Sequence, residues 1–152
     1  VCARSQVPVW AKLSANTDRI VEVATTVSDA GASAVTVMNT MLGMQIDVRT
    51  SRRSLGNGGG GLSGPAVHPI AVRAVHDVRV ALPNIAIVGV GGIASGDDAI
   101  EMMMAGANAV QVGTASFARP NATWRIACSA ATRAHALGAS SWSSIVNAVH
   151  EV

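Results

Sequence analysis

The sequence predicts an α/β chain, four parallel strands alternating with helices, the C-terminal half of a (β/α)8 TIM barrel. Three observations carry that expectation. Two apolar strands, Ile85–Val90 and Ala109–Val112, each run into a glycine turn, at Gly91-Gly92 and Gly113-Thr114, and the turns lie 22 residues apart. The composition is 49% hydrophobic and only 13% charged, as expected of strands buried on both faces. Strand and helix patterns alternate along most of the 152 residues, which is the length of one ordinary domain.

The elements follow in order. Val7–Lys12 reads as a strand closed by Lys12. Asp18–Ala30 reads as a helix with Ile20, Val23, Ala24 and Val27 on its buried face and Gly31 at its C-terminal cap. Ala34–Met38 is the second strand, ending at Asn39-Thr40. Met41–Gly64 carries no helix pattern, and a loop of this length in a compact domain usually has a function. Within it Gln45–Val48 reads as one strand of a hairpin over the barrel mouth.

Pro69–Leu82 reads as a helix that buries Ala71, Ala74, Val75, Val78 and Leu82 and turns Arg73, His76, Asp77 and Arg79 to water. After the strand ending at Val90 comes a helix with Ser95 as N-cap, Asp97 and Asp98 in its first turn, and Gly106 as its stop. The strand to Val112 is followed by helical patterns from Pro120 to Ala136 and from Ser140 to Val152. Four strands leave two open edges, so the chain is expected to be part of a larger domain, or an oligomer completed by another copy or chain. The opening Val1-Cys2-Ala3-Arg4 likewise reads as the interior of a longer protein, with the N-terminal half of the barrel absent from residues 1–152.

Several function classes are excluded. A net charge of +2 without aromatic interleaving gives no nucleic-acid signature, and Arg49, Arg52 and Arg53 read as a solvated loop. No apolar run approaches a membrane span, and no secretory signal pattern is present. Cys2 and Cys128 have no redox or metal spacing and read as reduced thiols of a cytoplasmic protein. No metal site is indicated by spacing. The Met102–Met104 run reads as core.

The chemistry-bearing positions gather at strand ends. Paired glycine turns expose backbone N–H groups at one rim of a parallel sheet, where the last two strands of a barrel hold phosphate. Lys12 is the only lysine among eleven basic residues, which suits a compact ammonium beside a group that becomes negative; a snorkelling strand-end lysine is the alternative. Asn39 and Thr40 offer amide and hydroxyl groups suited to a pyrimidine edge, or serve as turn residues. Gly64 could bring its N–H close to a ligand, and His68 begins a helix beside it and could touch that ligand. Gly89–Ala94 also fits the relaxed dinucleotide pattern GxGxxA, but the next strand end, Val112-Gly113, supplies no ribose-binding acid.

The strings VWAKLSAN (9–16), VTVMNTMLGM (35–44), GGLSGPAVHPIAVRAV (60–75) and IVGVGGIASGDDAIEMMMAGANAVQVGTASF (87–117) resemble the dihydroorotate dehydrogenases. The Leu-Ser-Gly-Pro form looks most like their two-subunit, NAD-linked class. The resemblance implies FMN as cofactor, dihydroorotate and orotate as substrate and product, and an iron–sulfur flavoprotein (FAD) subunit as electron-transfer partner. It places Lys12 and Met38 at the flavin ring and Asn39 and Thr40 on the orotate. Gly64, Gly91, Gly92, Gly113 and Thr114 are placed on the ribityl phosphate. It assigns no catalytic residue here, since the family's general base lies on a loop of the first half of the barrel; residues 1–152 alone are expected to be inactive. Ala15 stands where the family usually has proline, and Arg119 where an aspartate is common. A dihydropyrimidine dehydrogenase-type flavin domain and a non-catalytic half-barrel scaffold remain the alternatives.

Overall fold

The computed structural model describes residues 1–150. Its main sheet has four parallel strands: β1 (Trp10–Lys12), β2 (Ala34–Val37), β7 (Ala86–Val90) and β8 (Ala109–Gln111). Between β2 and β7 lie two antiparallel pairs. β3 (Met41–Gly43) pairs with β6 (Gly60–Leu62), and β4 (Ile46–Asp47) with β5 (Arg52–Arg53). The helices are α1 (Ile20–Asp29), α2 (His68–Ala81), α3 (Gly96–Met104), α4 (Ala115–Ala118) and α5 (Ala122–Ala136).

The sheet order β1-β2-β7-β8 follows the chain without reversal, and every pair is parallel. A doubly wound dinucleotide fold reverses its strand order at the ligand crevice. Uninterrupted winding is the arrangement of part of a barrel, and it disposes of the GxGxxA alternative.

Burial follows sheet position. β2 is buried at all four residues and β7 at its centre, with Val35, Val37 and Ile87 fully enclosed. α2 covers both strands with Ala71, Val75 and Val78. Met102 and Met103 of α3 join the same core. α3 starts at a capping box: Ser95 Oγ accepts from Asp98 N at 3.2 Å, and Asp98 Oδ2 accepts from Ser95 N at 2.8 Å.

Five expectations need correction. Arg79 does not face water; it is 5% exposed. It lies one helical turn beyond Val75 on the buried stripe, and its guanidinium donates to the carbonyls of Pro83, Ile85 and Gly106. His76 and Asp77 are half-buried rather than open, because His76 stacks on His150 at 4.5 Å. Val23 is exposed: α1 packs mainly on α2 and β2, and Ile20 and Ala24, not Val23, are the residues it buries.

The tail from Ser140 is not one helix. Its described part forms two 3-10 turns, Trp142–Ser144 and Ala148–His150. Ser141 accepts from Ser144 N, Ser144 Oγ donates back to Ser141 O, and Asn147 takes φ +69°, so local side-chain bonds compete with the α-helix. Val152 lies outside the described residues. Within Gln45–Val48, Ile46–Asp47 forms β4 of the expected hairpin, paired with β5.

Candidate functional site: a cationic cavity at the strand ends

The C-terminal ends of the four parallel strands surround one cavity of about 580 Å³, within the size range of cofactor pockets. Lys12, Met38, Asn39, Thr40, Gly64, Gly91, Gly92, Gly113 and Thr114 all line it. Those residues come from five separate segments, so only the sheet brings them together.

At one side stands Lys12. Its Nζ donates to the Met38 carbonyl at 3.4 Å, which aims the ammonium across the end of β2. Met38 itself is buried, and its N–H donates to Val90 O at 2.9 Å, continuing the β2–β7 ladder to the cavity floor. Asn39 and Thr40 follow, both exposed. Asn16, which the sequence reading did not single out, holds this turn. Its Nδ2 donates to Thr40 O at 2.8 Å, and its Oδ1 accepts from Leu42 N at 2.7 Å.

At the other side the backbone replaces side chains. Gly92 has φ +68°, and a Cβ there would sit 2.7 Å from His68 Cβ and 2.8 Å from His68 N. Only glycine fits. Gly113 differs. Its φ is ordinary, and a Cβ built on it meets no protein atom within 4 Å. Neither strain nor packing requires glycine at 113; what the missing side chain leaves is space toward the cavity.

Arg119 and Arg125 also line the cavity and escaped the sequence reading as site residues. Arg119 closes α4 and Arg125 lies in the first turns of α5, so their approach depends on α4–α5 folding back over β8. Together with Lys12 they make three cations in a lining that contains no carboxylate among the described residues. The histidine beside the loop does not line the cavity: His68 is 7% exposed and stands behind the glycine turn, its Nδ1 2.8 Å from Gly91 O. The opposite face of that ring meets Asp98 and Glu101. Asp98 titrates below its ordinary value: burial raises it, but the Ala94 N–H, the Ser95 hydroxyl and N–H, and the charge of His68 lower it further.

The sequence matches the dihydroorotate dehydrogenase family over residues 1–130. The chain belongs to that family. It is 52% identical over 116 residues to the protein named dihydroorotate dehydrogenase B (NAD(+)), catalytic subunit, of Bacillus thuringiensis (strain Al Hakam). The same identity and length are found with the like-named proteins of Bacillus cereus (strain AH187) and Bacillus anthracis (strain A0248). Each match covers 76% of this chain and 37% of the relative, so the chain spans little more than a third of the dehydrogenase subunits it resembles. Among the described residues no helix is long and apolar enough to cross a membrane.

Proposed function

We propose that this chain forms the FMN- and orotate-binding part of a dihydroorotate dehydrogenase catalytic subunit of the NAD-linked class. The observation that supports it most is the cavity: three cations, no carboxylate among the described residues, and glycines at the ends of the last two strands. That lining suits a phosphate-bearing, electron-accepting ligand. The fit to FMN rests on the vacant Cβ position at Gly113 and on the volume available.

FMN, when bound, supplies the two-electron redox chemistry. Gly64, Gly91, Gly92, Gly113 and Thr114 would hold its phosphate through backbone N–H groups, with Arg119 and Arg125 adding charge at that side. Lys12 would place an ammonium beside the ring, favouring negative charge there. Asn39 and Thr40 would orient the dihydroorotate ring, with Asn16 holding their turn. No histidine or carboxylate lines the cavity among the described residues, so the general base would come from a segment beyond residues 1–152. Electrons would leave through an iron–sulfur flavoprotein subunit of a cytoplasmic enzyme.

Titrating FMN into the protein and following the quenching of flavin fluorescence tests the reading. The expected result is one FMN per chain with a dissociation constant tighter than about 10 μM, and dihydroorotate oxidation only when the remaining barrel segments are present. Two results would overturn it: no flavin uptake with those segments supplied, as a scaffold predicts, or turnover by residues 1–152 alone. Flavin uptake with reduction of a 5,6-double bond in uracil, and no reaction with dihydroorotate, would favour the dihydropyrimidine dehydrogenase alternative.

A further inference from the structure

Behind the glycine turn, ligand atoms of three side chains converge. His68 opens α2, and Asp98 and Glu101 lie one turn apart on α3. The His68 Nδ1 is 2.8 Å from the Gly91 carbonyl, which only accepts, so Nδ1 carries a hydrogen and Nε2 is the ring nitrogen turned toward the two acids. That Nε2 is buried and has no hydrogen-bond partner. It points at Glu101 Oε2, 3.4 Å away, and Asp98 Oδ1, 4.0 Å away. Ligand atoms of all three residues lie within 4.8 Å of one another.

We propose that His68, Asp98 and Glu101 bind a divalent transition metal of the zinc class. The site is independent of the flavin reading.

Four features support it. Bonds of about 2.0–2.1 Å in a tetrahedron separate neighbouring ligand atoms by about 3.3–3.4 Å. The His68–Glu101 distance of 3.4 Å already has that value, and the His68–Asp98 distance of 4.0 Å needs to close by about 0.6–0.7 Å. One neutral imidazole and two carboxylates balance a 2+ ion. The outer partners are of the kind that orient metal ligands: a carbonyl on the far ring nitrogen, and the Ala94 and Ser95 N–H groups on Asp98 Oδ2, at 2.9 and 2.8 Å, leaving Oδ1 free. The Glu101 side chain is 60% exposed, which opens the site to the ion and to water as a further ligand.

The His68–Gly91 bond ties this site to the cavity wall. A cation on Nε2 makes Nδ1–H a stronger donor to Gly91 O and so holds the glycine turn in place.

The test is zinc titration of the metal-stripped protein by calorimetry, joined to ¹⁵N NMR of the histidine rings. One zinc per chain is expected, with the His68 Nε2 signal moving on binding while Nδ1 keeps its proton. Glu101→Gln, on an exposed side chain that leaves the helix cap intact, should weaken binding by tenfold or more. His68→Gln should abolish binding at this site. The proposal is overturned if both His68 nitrogens carry protons at pH 7.5 and stay unmoved at saturating zinc, which is an imidazolium paired with the two acids. It is equally overturned if zinc binds Glu101→Gln as tightly as the wild type, which places the ion elsewhere.

Discussion

The two ends of strands β7 and β8 solve opposite problems. At their N-terminal ends Arg79 closes every gap. Its Nε and Nη2 donate to Gly106 O, its Nη1 to Pro83 O and Ile85 O, and its Nη2 also to Asn108 Oδ1. Asn108 Oδ1 in turn accepts from Ile87 N at 2.9 Å. At the C-terminal ends Gly91, Gly92 and Gly113 leave their rim open to the cavity. Polar groups at the closed end are satisfied by the chain itself and hold the fold together. Those at the open end line the cavity, and this matches the division between stability and function expected of the two faces of a barrel.

The contrast is sharpest at Arg79. Arg79→Ala strips charged donors from the buried carbonyl of Gly106 and the part-buried carbonyls of Pro83 and Ile85 at once, and should cost about 3–5 kcal/mol in urea unfolding. The folded fraction should bind FMN as before. A drop in flavin affinity without loss of stability would contradict the division.

At the open rim, Gly92→Ala adds a Cβ where His68 leaves no room and imposes a left-handed backbone on alanine. Unfolding should ease by about 2–3 kcal/mol, and FMN affinity should fall about 100-fold, because the turn moves with its strain. Lys12→Gln keeps length and removes charge. Flavin affinity should change little, while the midpoint potential of bound FMN should fall by roughly 30–60 mV, one to two factors of ten for a two-electron couple. An unchanged potential in spectroelectrochemical titration would remove Lys12 from the flavin ring.

Gly113→Ala is the cleanest partner to Gly92→Ala. Its Cβ meets no protein atom, so the melting curve should stay within about 0.5 kcal/mol of wild type. FMN binding should nevertheless weaken by about tenfold, since the methyl occupies ligand space. Equal FMN affinity would show that the phosphate lies elsewhere on the rim.

The smallest effect concerns pH. The folded-state pKa of Asp98 lies below its ordinary value. Between the two values the unfolded chain holds more protons, so this contribution is complete above about pH 4 and declines as pH falls through the lowered pKa. Asp98→Ala should flatten that acid limb and cost about 1 kcal/mol at neutral pH through the lost cap; chemical denaturation at a series of pH values reads both.

Local patterns made the strand ends legible. A glycine closing an apolar strand states its backbone need within a few residues, so the turns at 91–92 and 113 could be read directly, as could the Ser95 cap. The signal for Arg79 was present too: it sits four residues after Val75 on the stripe that also holds Val78. Its charge suggested solvent, whereas its position along the helix was the better guide. Asn16, Arg119 and Arg125 carried no such local mark. Asn16 meets the Thr40 turn 24 residues away, and the two arginines meet the cavity only through the path of α4 and α5.

The order of residues alone determined that strands and helices alternate, that glycines end two of the strands, and that a single lysine ends another, because each depends on neighbours within one turn or one strand. Tertiary structure decided which of those ends face one cavity, where the arginine fork closes the far rim, and that a histidine and two acids 30 or more positions further along meet behind the glycine turn. Those contacts join segments far apart in the chain, and only the register of the parallel sheet sets their distances.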